Sequence, residues 1–396
     1  MDCLAIIPAR GGSKGILRKN LHPVAGLPMV AWSIQAAFLS KHISRVVVST
    51  DDKEIADVSE AFGAIALMRP PELSTDTASS EAALLNVLAQ LKEKENYQPD
   101  IVVFLQCTSP LTSSLDIDGA IEKLLSEKAD SCFSVTQFSH FIWDLDENGN
   151  AKGINHDKKI RAMRQQVSPQ YLETGAIYIF KTPGFLEHKH RFFGKTVVFE
   201  VPEERCLEID TYEELQRADV KLRAREQAFA FDKLPLAIDA VVFDFDGVFT
   251  DNRVIVSEHG EESALCSRRD GFGIESLKKL GIPLLVLSRE DRPIVKHRCQ
   301  KLGIECLHGV KDKFPVLQAW AHEKSISLEH TIFVGDDVAD IECLTMVGCG
   351  VVVKDAHPEA IDVAKIVLSN NGGAGAVREL CDLVIERIET VSEVIS

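Results

Sequence analysis

Residues 6 to 15 read IIPARGGSKG, an apolar run that breaks into glycines and cations: Arg10, Gly11, Gly12, Ser13, Lys14 and Gly15. A glycine-rich turn after a strand exposes successive backbone N–H groups, and without Cβ atoms these approach phosphate oxygens closely. Arg10, Lys14, Arg18 and Lys19 supply the positive charge that a triphosphate requires. The order is not that of a Walker A loop, GxxxxGK[ST], because Ser13 and Lys14 precede Gly15; a GxGxxG dinucleotide pattern is absent from this turn as well. Taken alone, the turn leaves a basic surface loop as the alternative.

A second chemical cluster begins at residues 241–251, VVFDFDGVFTD, where an apolar strand runs directly into Asp244, Asp246 and Thr250. Carboxylates at i and i+2 on a strand end project to the same side, which suits one nucleophile and one acid/base flanking a phosphate. Downstream, LLVLS ends in Ser288, GVKDK carries Lys313, and FVGDDVAD offers Asp336, Asp337 and Asp340. Each follows an apolar strand or a short loop, so the spacing predicts that all converge at the carboxyl edge of one parallel sheet. A single DxD is common at strand ends; four elements in this order are specific.

The elements that must position these residues alternate apolar runs with amphipathic stretches, the pattern of parallel sheets flanked by helices, so the fold class is α/β throughout. Strands are predicted at 3–8, 45–50, 64–68, 101–106, 131–136, 176–180 and 196–201, with helices at 28–40, 79–93 and 115–127, the last capped by Ser113 or Ser114. A charged helix over 212–229 runs toward Pro235, and the pattern restarts with strands at 239–245, 283–287, 331–335 and 350–353. The domains read as 1–228 and 237–396. At 396 residues and 45% hydrophobic content, the chain has material for two cores.

Composition narrows the function. A net charge of −16 argues against a nucleic-acid surface, so anionic ligands need local cationic pockets. The ten cysteines form no CxxC pair and are expected reduced, with neither a zinc site nor a disulfide framework. The first residues, MDCLAIIPAR, lack signal-peptide features and no long uninterrupted apolar run occurs, which gives a cytoplasmic expectation and no membrane partner.

IPARGGSKGILRKNLHPVAGLPMVAWSIQAA, RPPELSTDTASSEAALLNVL, FLQCTSPL, YLETGAIYIF and LEIDTYEEL, in this order across the first half, resemble the CMP-sialic acid synthetases, the N-acylneuraminate cytidylyltransferases. The resemblance implies a Rossmann-like nucleotidyltransferase domain with a mixed, mainly parallel sheet, moving CMP from CTP to the anomeric hydroxyl of a 2-keto sugar acid with release of pyrophosphate. It implies pyrophosphate contacts for Arg10, Gly11, Gly12, Ser13, Lys14 and Lys19, and base and ribose contacts for Asn20, Arg69 and Ser80. Gln106, Arg164 and Tyr178 match sugar-acid positions, and Asp210 with Glu208 matches the Mg2+ anchor. Tyr178 in an apolar strand also reads as core, and Asp210 also reads as the cap of the helix near Tyr212. This sequence departs from the family at Glu208, where aspartate is common, at Cys107, where proline is usual, and at Thr174, where asparagine is frequent.

VVFDFDGVFTD, SRRDGFGI and NGGAGAVREL place residues 238–387 in resemblance to the haloacid dehalogenase superfamily, toward its capless 3-deoxy-octulosonate 8-phosphate phosphatases. The resemblance implies a capless α/β domain in which Asp244 is the nucleophile, Asp246 the acid/base, and Ser288 and Lys313 the phosphate holders. It places Mg2+ among Asp244, Asp246, Asp336 and Asp337 or Asp340, and gives Arg378 the substrate carboxylate across a subunit boundary of a homotetramer. The joint reading is a bifunctional enzyme that dephosphorylates a sialic acid-type 9-phosphate and couples the free acid to CMP. Two alternatives stand beside it: a transferase whose second domain serves only assembly, as in the animal synthetases, and an enzyme of the eight-carbon 3-deoxy-octulosonate series, against which the TDTASS and GGSKG patterns argue.

Overall fold

The computed structural model describes every residue except Lys14, Asp76, 161–168, Glu261 and Ser396, and the side chains of 391–395. The chain divides into two compact units, Met1–Arg223 and Ala224–Ser396. The helix predicted over 212–229 continues to Lys233.

In the first unit, seven strands form one sheet in the order Thr196–Glu200, Ser131–Phe138, Gln170–Lys181, Ile101–Leu105, Cys3–Pro8, Arg45–Thr50 and Ile65–Met68. The strand Gln170–Lys181 runs antiparallel to both neighbours and the other pairings are parallel, so the sheet is mixed and mainly parallel. Its central strands are buried on both faces, which accounts for continuous runs such as IVVFL rather than alternation. Helices begin where the sequence supplies caps. Ser113 and Asp116 form a reciprocal capping box, the Ser79 hydroxyl accepts from Ala82 N, and Asp52 accepts from Ile55 N. The long antiparallel strand exceeds its predicted span because a bulge between Glu173 and Tyr178 lets it pair twice, with Gly175 at φ +74°. Short hairpins at Pro23–Pro28 and Trp143–Gly153 are too brief to leave a period in the sequence.

The second unit holds a six-stranded sheet in the order Glu305–Leu307, Leu284–Leu287, Ala240–Phe243, Thr331–Gly335, Cys349–Val352 and Ile366–Val367, all parallel. Phe243 at the end of the strand Ala240–Phe243, and Phe245 and Phe249 just after it, are fully buried, with Phe245 stacked on Phe249 at 5.8 Å. Each contributes about 2–3 kcal/mol of burial, which makes the loop after the strand rigid. The helices Arg268–Lys279 and Ala376–Ile395 cross at Gly273, where a Cβ would stand 2.9 Å from Cys381 Cβ. Among the described residues no helix is long and apolar enough to cross a membrane.

Candidate active sites

Parallel strands deliver their carboxyl ends to one edge, and the strand Cys3–Pro8 lies where the strand order reverses, between Ile101–Leu105 and Arg45–Thr50. A crevice at such a switch point is a natural ligand site. Here it is a cleft of about 420 Å³ lined by Arg10, Ser13, Gly15, Lys19, Asn20, Arg69, Ser80, Gln106 and Asp210 among others. Asn20 Nδ2 donates to the Arg10 carbonyl at 3.0 Å, tying the start of the glycine turn to the residue that follows its cations. The glycines are set by close approach: a Cβ on Gly15 would stand 2.5 Å from the Asp210 carbonyl oxygen, and one on Gly11 2.6 Å from Asp52 Oδ2. Gly12 is exposed with no neighbour at its missing Cβ. Ser80 opens the helix Ser80–Glu95, whose N-terminus therefore reaches the cleft.

Cations and acids in this cleft are interlocked. Lys19 Nζ donates to Asp210 Oδ1 and to the Ile209 carbonyl, both at 2.8 Å. Glu208 accepts from Thr108 Oγ1 at 3.3 Å, and burial together with Asp210 raises its carboxyl above the ordinary value. Arg69 is buried, its Nε donating to Ser74 Oγ at 2.8 Å, and burial with Arg10 nearby lowers its guanidinium while Asp51 opposes that. Cys107, standing where proline is usual, lines the cleft as a thiol that burial pushes up to about 12, so it contributes shape and no charge.

Two expectations change on contact with the geometry, and one residue joins the site. Arg18 does not serve the cleft: its guanidinium pairs with Asp52 at 2.7 Å and Glu54 at 2.6 Å, acids that lie 34 and 36 positions away in sequence. Tyr178 is 4% exposed, stacked on Phe104 at 5.4 Å with its hydroxyl donating to Glu173, and it is absent from the cleft lining; it packs in the core. Asp51 was not anticipated; its Oδ1 accepts from Gly11 N at 3.1 Å and faces Arg69 at 3.9 Å, joining the glycine turn to the buried arginine. Its signal, an acid at the end of the apolar run RVVVST, is of the kind that marked Asp244. Lys14 and Arg164 lie outside the described residues.

In the second unit the same switch-point logic gathers Asp244, Ser288 and Asp336 after three adjacent parallel strands. Lys313 opens the helix Lys313–Lys324, and its Nζ bridges Asp244 Oδ2 at 2.8 Å and Asp340 Oδ1 at 2.6 Å. Asp340 Oδ2 accepts from Asp336 N at 3.0 Å, which fixes the turn. Ser288 Oγ accepts from Glu290 N and is buried. Burial, reinforced by Asp340 and opposed by Lys313, lifts Asp244 to about 7. Asp336 rises to about 8 through burial and the neighbouring carboxylates of Asp244, Asp340 and Asp337. For Lys313 burial works downward, but Asp244 and Asp340 outweigh it and raise the ammonium. Asp246 is half-buried and raised by burial and by Glu290. Arg378 stands in the helix Ala376–Ile395, its Nε 2.8 Å from both oxygens of Asp382.

Divalent-cation fit rests on the donor set. Carboxylate oxygens of Asp244, Asp336 and Asp340 lie within 4.8 Å of one another, all buried, against the single ammonium of Lys313. Three buried carboxylates sharing one cation leave net negative charge that a hard, oxygen-seeking ion such as Mg2+ would neutralise. Of the two acids offered beside Asp336, Asp340 is the one in this buried group; Asp337 is exposed and its carboxylate accepts from Val338 N, capping the short turn Val338–Asp340. Asp246 is also outside that compact group. In the first unit, Asp210 and Glu208 offer oxygen donors of the same hard kind.

Comparison with known proteins finds two families along the chain. Residues 4–227 match the cytidylyltransferase family and residues 297–380 match the haloacid dehalogenase-like hydrolases. N-acylneuraminate cytidylyltransferase A of Danio rerio is 32% identical over 388 residues, covering 96% of this chain and 88% of that protein. Pseudaminic acid cytidylyltransferase of Campylobacter jejuni is 33% identical over 232 residues, 58% of this chain and 99% of that protein. Among solved structures, 3-deoxy-D-manno-octulosonate 8-phosphate phosphatase from Moraxella catarrhalis, in complex with magnesium, phosphate and KDO, aligns at 28% identity with a TM-score of 0.40, covering 42% of this chain and 95% of that one.

Proposed function

Because the chain belongs to the cytidylyltransferase family and carries a haloacid dehalogenase-like hydrolase domain, we propose that it performs two consecutive reactions on a sialic acid-type sugar acid. The second unit removes phosphate from the 9-phosphate, and the first joins the free acid to CMP. The observation that supports the reading is the presence of two clusters of paired cations and carboxylates at strand ends of one chain: a cleft holding Lys19 against Asp210, and Lys313 bridging Asp244 and Asp340.

In the first unit, CTP lies in the cleft with its phosphates toward Arg10, Ser13, Lys19 and the turn's N–H groups, and its base and ribose toward Asn20, Arg69 and Ser80. The anomeric hydroxyl oxygen bonds to the α-phosphorus, the bond from that phosphorus to the oxygen bridging it to the β-phosphorus breaks to free pyrophosphate, and the hydroxyl proton passes to water. Catalysis is mostly placement and charge: Arg10 and Lys19 take up the charge that grows on the leaving pyrophosphate. Gln106 and Arg164 hold the sugar acid, whose carboxylate suits a guanidinium partner. Asp210 and Glu208 would hold Mg2+, which neutralises phosphate charge when bound.

In the second unit, Asp244 attacks phosphorus as the bond to the sugar oxygen breaks, and Asp246 gives its proton to that oxygen. Asp246 then takes a proton from water, which attacks the aspartyl-phosphate and frees inorganic phosphate. The upward push on Asp246 from burial and Glu290 suits a group that must first donate a proton. Lys313 and Ser288 hold phosphate oxygens. Asp244, Asp336 and Asp340 would hold Mg2+, whose charge offsets that of the phosphate as it nears Asp244. Arg378 grips the substrate carboxylate across an interface of a homotetramer. A panel of 2-keto sugar acids with CTP, read by pyrophosphate release, tests the transferase. Turnover of a nine-carbon acid is expected, and turnover of the eight-carbon acid alone would overturn the assignment.

A further inference from the structure

The geometry points to Asn252 as a positioning residue for Asp336, an inference that rests on the phosphatase reading above. Asp336 is 7% exposed, and the ion pairs of Lys313 go to its neighbours Asp244 and Asp340. Among the described residues, the side-chain donor that reaches Asp336 is Asn252 Nδ2, 2.9 Å from Oδ2. Gly247, at φ +73°, lies close to the same oxygen: a Cβ there would be 1.8 Å from Oδ2. One carboxylate oxygen is therefore approached by both a glycine with no side chain and an amide N–H.

Asn252 is itself held in place. Its φ is +62°, a left-handed conformation that asparagine tolerates better than most residues with a Cβ. Thr250 Oγ1 accepts from Asn252 N at 3.3 Å and from Gly247 N at 3.2 Å, so one hydroxyl ties together the two residues that approach the oxygen. The chemistry of the donor matters as much as its place. An amide fixes the carboxylate through a neutral hydrogen bond, so no ammonium competes with a cation for it, as a lysine there would. Fixing one oxygen orients the whole carboxylate group, which is how partners of metal-binding carboxylates raise affinity.

Asn252→Gly separates this role from backbone geometry, because glycine adopts positive φ without strain and only the amide is lost. The full chain is titrated with Mn2+ alone, free Mn2+ being read by electron paramagnetic resonance, with Asp336→Asn as the reference that identifies the second unit's site. Loss of about tenfold or more in Mn2+ affinity is expected at that site, with the thermal unfolding midpoint and the KM for sugar phosphate retained. Unchanged Mn2+ affinity in Asn252→Gly overturns the inference, and a raised KM with unchanged affinity does so too by assigning the amide to substrate. A wild-type chain showing no Mn2+ site sensitive to Asp336→Asn overturns instead the phosphatase reading beneath it.

Discussion

Lys313→Met removes the one ammonium shared by two buried carboxylates while keeping much of the side chain's apolar stem. At an effective dielectric of about 20, contacts of this length carry about 6 kcal/mol of attraction each, against several kcal/mol for desolvating the ion. Breaking a buried pair from one side costs about 3–5 kcal/mol, a large part of a domain's stability. The carboxylates have one escape, which is to take up protons. Asp244 already stands at about 7 with Lys313 present, through burial and Asp340, and loss of the lysine pushes it higher. A folded pKa above the unfolded value of about 4 gives stability that is present at low pH and lost as pH rises through the folded value. The variant is therefore expected to lie close to wild type at pH 5 and about 3–5 kcal/mol below it at pH 8. Urea unfolding at both pH values is read by tryptophan fluorescence, with Trp320→Phe as the reference that separates the second unit's signal from that of Trp32 and Trp143 in the first. A gap under about 1 kcal/mol at pH 8, or a larger gap at pH 5, would refute the reasoning.

Other expectations are open to the same kind of measurement. Lys19→Ala should lower kcat/KM for CTP by about 100- to 1,000-fold in pyrophosphate release and leave phosphate release untouched; loss of both would point to a folding defect instead. Asp270, fully buried with Oδ1 accepting from Arg378 N at 3.2 Å, is raised by burial from 3.8 to about 6. Asp270 alone should therefore take up to about 3 kcal/mol from wild-type stability as pH rises from 4 to 8, beside the falls that Asp244 and Asp336 bring. Asp270→Asn should flatten that slope in urea unfolding, and an unchanged slope would contradict the assignment.

Both sheets, the mainly parallel order and the chemical turns were legible because buried parallel strands are written as apolar runs, and the residues just past their carboxyl ends gather at one edge. Asp244, Ser288, Lys313 and Asp336 announced themselves in this way, and Lys19 and Asp210 did so through the family's order of motifs. Arg18 misled because its ion pairs with Asp52 and Glu54 are made by residues far off in sequence, so charge alone gave it to the cleft. The choice between Asp337 and Asp340 turns on which side chain caps a three-residue turn, a distinction of rotamer that spacing does not carry. Asn252 left only a faint trace, an asparagine after a Thr-Asp pair; its bond to Asp336 spans 84 positions and depends on a left-handed φ. The short strands Glu305–Leu307 and Ile366–Val367 exist because a neighbour pairs with them, not because their own residues insist on it.

The central claim, that one chain holds two separable chemistries in sequence, is tested most directly by giving Asp244→Asn and wild type the sialic acid-type 9-phosphate with CTP and Mg2+, and in parallel the free acid. Wild type should release phosphate and then pyrophosphate from the 9-phosphate. The variant should release neither from the 9-phosphate while matching wild type in pyrophosphate from the free acid. Phosphate release by Asp244→Asn, or loss of pyrophosphate release from the free acid, would contradict the account.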